Sequence, residues 1–120
     1  MFEISRQFHF DAAHFMPHMH EGHAYRQMHG HSFQVNISVR GVPDPATGWV
    51  MDFEALDALI GEIRNELDHQ LLNDIAGLAT PTLENICAWL WRRLAMRVSG
   101  LARVTVARPS VGQSCTLTAT

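Results

Sequence analysis

The chain has 120 residues and a formal charge of −3, from 9 Lys and Arg against 12 Asp and Glu. Apolar residues make up 47% and charged residues 18%, which excludes disorder and fits one domain spanning 1–120. No basic block is present to neutralise phosphates, which argues against a nucleic-acid partner, and no apolar run approaches the ~18 residues of a membrane span. The opening MFEISRQFHF lacks the apolar stretch of a secretory signal. Two cysteines, Cys87 and Cys115, are too few for a disulfide framework, so a cytoplasmic location is expected. The unusual residue is histidine, with 8 in the chain and most of them between His14 and His31.

Phe2, Ile4, Phe8 and Phe10 alternate with Glu3, Ser5, Gln7 and His9, the period of a half-buried strand in which Arg6 is the one flaw. Residues 32–40 repeat the pattern more cleanly, with Phe33, Val35, Ile37 and Val39 on one face and Ser32, Gln34, Asn36 and Ser38 on the other. Asp44-Pro45-Ala46-Thr47-Gly48 reads as a turn before a short extended piece, Trp49-Val50-Met51. Asp52 can cap a helix whose buried stripe is Leu56, Leu59, Ile60, Ile63 and Leu67. A second helix opens at Thr80-Pro81-Thr82, carries Leu83, Ile86, Leu90, Leu94 and Val98, and stops at Gly100. Leu101–Ala107 and Ser114–Ala119 form two closing strands about a turn at Pro109-Ser110-Val111-Gly112. The order ββααββ predicts an α+β fold, a four-stranded antiparallel sheet with two helices on one face. So small a core makes oligomerisation an expected supplement.

His29 and His31 flank Gly30 just before the clean strand, and residues two apart on an extended chain point to one side. A hairpin of the first two strands would return the chain to His14, at the end of the first strand. Three neutral imidazoles with a fourth position open are the arrangement of catalytic zinc. Without soft ligands or a carboxylate at ligand spacing, Zn²⁺ is favoured over Mg²⁺ or Ca²⁺. The bland alternative is a set of surface histidines in a polar loop. His18, His20 and His23 read as loop or substrate-facing groups, and His9 as a solvent-facing one. Asp68-His69 ends the first helix, and an Asp beside a His fixes its tautomer and raises its basicity. Neighbours on a helix face apart, so this proton relay requires the helix to end there.

Several stretches together are specific. They are Phe8-His9-Phe10-Asp11-Ala12-Ala13-His14, Pro17-His18, Glu21-Gly22-His23, His29-Gly30-His31-Ser32-Phe33, and Asp44-Pro45 with Thr47-Gly48-Trp49-Val50-Met51-Asp52-Phe53. Leu67-Asp68-His69, Leu72-Asn73-Asp74, Pro81-Thr82, Glu84-Asn85 and Trp89-Leu90-Trp91 follow. In these motifs the chain resembles the 6-pyruvoyltetrahydropterin synthase superfamily, and most of all its 6-carboxytetrahydropterin synthase branch of the queuosine pathway. The resemblance implies the tunnelling fold, in which ββααββ subunits close into a trimeric barrel, often stacked as a hexamer, with active sites between subunits. It implies a zinc held by His14, His29 and His31, a relay of Asp68 and His69, and 7,8-dihydroneopterin triphosphate as the family's substrate.

Two departures stand against that background. The family's cysteine before the His-Gly-His motif is missing from His23-Ala24-Tyr25-Arg26-Gln27-Met28-His29, where Tyr25 takes its place as a candidate acid or base, or as a packing residue. The family's pterin-anchoring glutamate is replaced by Arg108, which offers donors where acceptors are needed and which could pair instead with an anionic substrate. Thr82 and Glu84 remain as candidate substrate contacts. The expected activity is therefore a zinc-dependent lyase of the pterin-synthase type, acting on a dihydroneopterin-triphosphate-like or related substrate with altered chemistry. The alternative is a non-catalytic, zinc-containing oligomer that binds a small molecule.

Overall fold

Alternation carries the first strand further than its phenylalanines suggest. In the computed structural model, which describes residues 1–120, β1 spans Phe2–His14 and β2 spans His29–Gly41. Ala12 and His14 continue the buried face begun by Phe8 and Phe10, so the strand runs on to its last histidine. The two helices, α1 (Phe53–Leu67) and α2 (Leu83–Ala95), precede β3 (Leu101–Arg108) and β4 (Gln113–Thr118). All neighbours in the sheet are antiparallel, in the order β1-β2-β3-β4, which is the predicted architecture.

The core lies between one face of the sheet and the helices. Phe10, Phe33, Val35, Ile37, Val104 and Val106 meet the α1 stripe of Leu56, Ile60, Ile63 and Leu67 and the α2 stripe of Ile86, Leu90 and Leu94. Phe10 and Phe33 stack with ring centroids 5.0 Å apart. Arg6, the polar interruption in β1, reaches Asp57 on α1 with Nε 2.7 Å from Oδ1, so it bridges the rim of the core. Asp52 and Thr82 cap the helices by accepting from the amides of Glu54 and Asn85. No helix is long and apolar enough to cross a membrane.

Three details differ from the expected pattern. Trp49-Val50-Met51 forms no strand; the segment bends into the α1 cap. Ser38 is buried although it falls in the polar set, because an irregularity at Ser38/Val39 shifts the register against β3. The second helix ends at Ala95, and Val98 packs into the core from the turn beyond it. That turn closes on Gly100, whose φ is +83° and whose carbonyl accepts from the Arg40 amide at 2.8 Å. A Cβ there would fall 2.2 Å from the Arg40 carbonyl oxygen. Gly100→Ala is therefore expected to cost roughly 2 kcal/mol or more, read as a lower urea midpoint.

Candidate metal centre and active site

The β1–β2 ladder ends with His14 opposite His29 and, two pairs in, Ala12 opposite His31. The three imidazoles therefore share the core face beyond Phe10 and Phe33. Ring centroids are 4.6 Å apart for His14 and His29, 5.0 Å for His14 and His31, and 4.9 Å for His29 and His31. One ring nitrogen from each lies within 4.8 Å of the others. Backbone carbonyls set two of the tautomers: His14 Nδ1 donates to Pro81 O at 3.1 Å, and His29 Nδ1 donates to Gln27 O at 2.7 Å. The Nε2 of each is then a free lone pair.

The Nε2 atoms of His14 and His31 are buried with no hydrogen-bond partner. Orphaned polar atoms of this kind cost about 1–3 kcal/mol each, a penalty that coordination removes. An all-imidazole set with one side open to a cavity fits a metal held by three protein ligands. The protonation states agree. Burial pushes the His14 imidazolium down to about 4, with the Pro81 bond opposing and His29, His31 and Arg108 adding to the fall. His31 is lowered by burial first, then by His29 and Arg108. Both stay neutral, as ligation requires.

A consequence for stability follows in the metal-free protein. His14 titrates near 6.5 unfolded and near 4 folded, so between these values the unfolded chain holds the extra proton. Its contribution is complete above pH 6.5 and is lost as pH falls toward 4, on the order of 3 kcal/mol across that window. Urea unfolding of metal-free protein at pH 7, 5.5 and 4.5 should show this decline, and His14→Gln should flatten it.

The walls around the cluster come from three further segments. Tyr25 sits on a short helical turn, Ala24–Arg26, with its ring 4.8 Å from that of His23 and half its surface exposed. It lines a cavity of about 320 Å³ with His29, His31, Arg108 and Gln113. It also lines a smaller one of about 230 Å³ with His29, Thr82, Glu84 and Arg108. The fold thus brings Tyr25, Thr82, Glu84 and Arg108 to cavities that His29 lines, and Tyr25 and Arg108 to His31 as well. Thr82 spends its oxygen lone pair on the α2 cap, leaving its hydroxyl proton free to donate. Neither cysteine reaches these cavities, and burial first, then Cys115, pushes the Cys87 thiol up to about 12.

The Asp68–His69 pair forms, but elsewhere. α1 ends at Leu67, which turns Asp68 back so that Oδ1 accepts from the Asp11 amide at 2.9 Å and Oδ2 accepts from His69 Nδ1 at 2.9 Å. Asp68 is held below the usual carboxylate range by the Asp11 amide first and the His69 bond second. His69 has φ +60°, and its amide donates to Asp11 O at 2.6 Å. Its side chain opens onto a third cavity, of about 570 Å³, lined by Asp11, Gly30, Ser32 and Gln70. His31 alone borders both this cavity and the one holding Tyr25 and Arg108. Within one chain His69 does not line the cavities that hold Tyr25, Thr82, Glu84 and Arg108.

Sequence reasoning passed over four supporting groups. The Pro81 and Gln27 carbonyls orient two of the clustered histidines, and backbone oxygens leave no mark in a residue pattern. The Asp11 amide anchors Asp68, and the Asn73 amide clamps Phe15, accepting from its N–H at 3.0 Å and donating to its carbonyl at 2.9 Å. The Phe8–His14 and Leu72–Asp74 motifs contained Asp11 and Asn73 without indicating what they hold.

Residues 3–120 match the sequence profile of 6-pyruvoyl tetrahydropterin synthase. The chain belongs to the 6-pyruvoyl tetrahydropterin synthase family. A 6-carboxy-5,6,7,8-tetrahydropterin synthase of Synechocystis sp. is 43% identical over 88% of this chain and 85% of its own length. A dihydroneopterin monophosphate aldolase of Pyrococcus furiosus is 35% identical over 76% of this chain and 73% of its own. These names describe lyases, and this member of the 6-pyruvoyl tetrahydropterin synthase family is an enzyme of that kind. The fold agrees: the Caenorhabditis elegans 6-pyruvoyl tetrahydropterin synthase structure superposes with a TM-score of 0.86 at 24% identity, over 99% of this chain and 96% of that one.

Proposed function

We propose that the chain is a zinc-dependent lyase acting on the side chain of a dihydroneopterin-triphosphate-like or related dihydropterin, without a cysteine. The observation that carries this reading is the cluster of His14, His29 and His31, whose ring nitrogens lie within 4.8 Å of one another beside a cavity lined by His29 and His31. A zinc held by His14, His29 and His31 would supply Lewis-acid polarisation of the substrate's side-chain oxygens, the chemistry that acidifies neighbouring C–H bonds. Glu84 accepts hydrogen bonds from ring N–H groups, and the Thr82 hydroxyl donates to a ring or side-chain oxygen. Tyr25, which lines the same cavity as His29, would give or take one of the two protons. His69 moves the second proton at Nε2, since Asp68 keeps Nδ1 protonated.

The separation of His69 from the metal pocket supports a homo-oligomer, trimer or hexamer, in which the relay of one subunit serves the pocket of its neighbour. Two further features favour assembly. β1 and β4 are both edge strands, and Phe2, Val42, Trp49 and Phe53 leave apolar surface exposed. The testing experiment is turnover of 7,8-dihydroneopterin triphosphate by zinc-loaded protein, with products identified by mass spectrometry. A 6-carboxy or 6-pyruvoyl product, or cleavage of the side chain, is expected, and Tyr25→Phe should slow it by about 10² or more. Binding with no product would favour the non-catalytic oligomer instead.

A further inference from the structure

All nine cationic side chains of the protein are arginines, and most have an evident partner. Arg6, Arg40, Arg64, Arg93, Arg97 and Arg103 each lie on a carboxylate. Arg26 and Arg92 have no acid beside them but are exposed. Arg108 differs. It closes β3 at the metal pocket without an acid in ion-pair distance, and its Nε is buried with no hydrogen-bond partner. A buried N–H left unpaired is costly, and an acceptor bound beside it recovers that cost.

The surroundings indicate what that acceptor is. The 320 Å³ cavity that Arg108 shares with Tyr25, His29, His31 and Gln113 has no carboxylate among its lining residues. In the adjoining 230 Å³ cavity Glu84 is the sole acid. The concavity combines a fixed positive charge, imidazoles and the neutral donors of Tyr25 and Gln113. A guanidinium presents two parallel N–H bonds, and their natural counterpart is a pair of oxygens on one centre. The N–H edge of a neutral heterocycle would meet donor against donor.

We propose that Arg108 binds an oxyanion of the substrate, a carboxylate or phosphate group, held by the guanidinium fork in the cavity bordered by His29 and His31. This rests on the lyase reading and assigns that site an anionic substrate whose charged group, rather than a neutral ring edge, docks on β3. The Arg108 contact sets specificity; it moves no proton.

The test is titration calorimetry of the zinc-loaded protein and its Arg108→Gln and Arg108→Lys variants. Four probes are used: sodium phosphate, sodium acetate, pterin-6-carboxylate and the uncharged 6-hydroxymethylpterin. At least one anion should bind roughly 10- to 100-fold more weakly to Arg108→Gln, with partial recovery in Arg108→Lys. Dependence confined to phosphate identifies a phosphoryl group, and dependence of the carboxylates a carboxyl group. Equal affinity of every anion for the parent and Arg108→Gln overturns the proposal. If 6-hydroxymethylpterin still binds all three proteins in that case, the pterin-lyase reading survives alone. If instead an anion depends on Arg108 while neither pterin binds, the oxyanion site stands and the pterin reading fails. Should Arg108→Gln not fold, Arg108→Lys decides: it keeps the charge and loses the fork, so unchanged anion affinity overturns the assignment.

Discussion

His29→Ala and His31→Ala are each expected to strip the protein of zinc, from one ion per chain to almost none by elemental analysis. Loss of a supporting partner around a metal typically weakens binding 10- to 100-fold, and loss of a ligand should exceed about 100-fold. Turnover should vanish with the metal. The fold should survive, because both residues lie in the first three positions of β2 and are only partly buried, whereas His14 is fully buried and bonded to Pro81. Circular dichroism separates the outcomes. Retention of full zinc content in both variants would place the metal elsewhere, and the remaining candidates are the loop histidines, where His20 and His23 lie 5.0 Å apart.

His69→Asn should lower turnover by roughly 10² to 10⁴-fold while leaving zinc content and ligand affinity near those of the parent. Asparagine suits the test because it tolerates the positive φ of this position and keeps the amide that bonds Asp11. The same variant asks which pocket the relay serves. His31→Ala chains retain the relay, and His69→Asn chains retain the metal ligands. If the relay crosses between subunits, mixing the two inactive proteins regains activity at about a quarter of the sites, those with each intact half on a different chain. If the relay acts within its own chain, mixing regains nothing. Full activity of His69→Asn alone would remove His69 from the mechanism.

The histidine cluster was legible because strand geometry is so restrictive. Once His29 and His31 sit two apart on a strand and the preceding strand returns to His14, little freedom remains in where the rings point. The helices were equally legible up to their ends. Val98 continues the apolar spacing of α2, yet the chain leaves the helix at Ala95, because Gly100 must turn back against Arg40. Periodicity reports which side of an element is buried; it does not register a backbone closure several residues beyond. The placement of His69 was hidden for a similar reason. Asp68-His69 announced a pair and even its dependence on the helix end, but the direction in which it opens is set by amide and carbonyl bonds to Asp11. Arg108 was visible as an odd residue in the motif, whereas its missing partner emerges only when β3 is laid beside the histidines.

The pairing of His14 with His29 as the last rung of the β1–β2 ladder places two of the clustered histidines at the two feet of the 15–28 loop. A metal held there would act as a clasp. It would tie together chain ends that are otherwise held by the Met16–Tyr25 backbone bond and the grip of Asn73 on Phe15. Chelation would therefore do two things at once: withdraw the electrophile and slacken the wall that carries Tyr25. Arg26, the loop's one arginine and an exposed one, becomes a gauge of the clasp, shielded from trypsin when it is shut and cut when it opens. Occupancy of the centre and the shape of the pocket are in that sense a single variable.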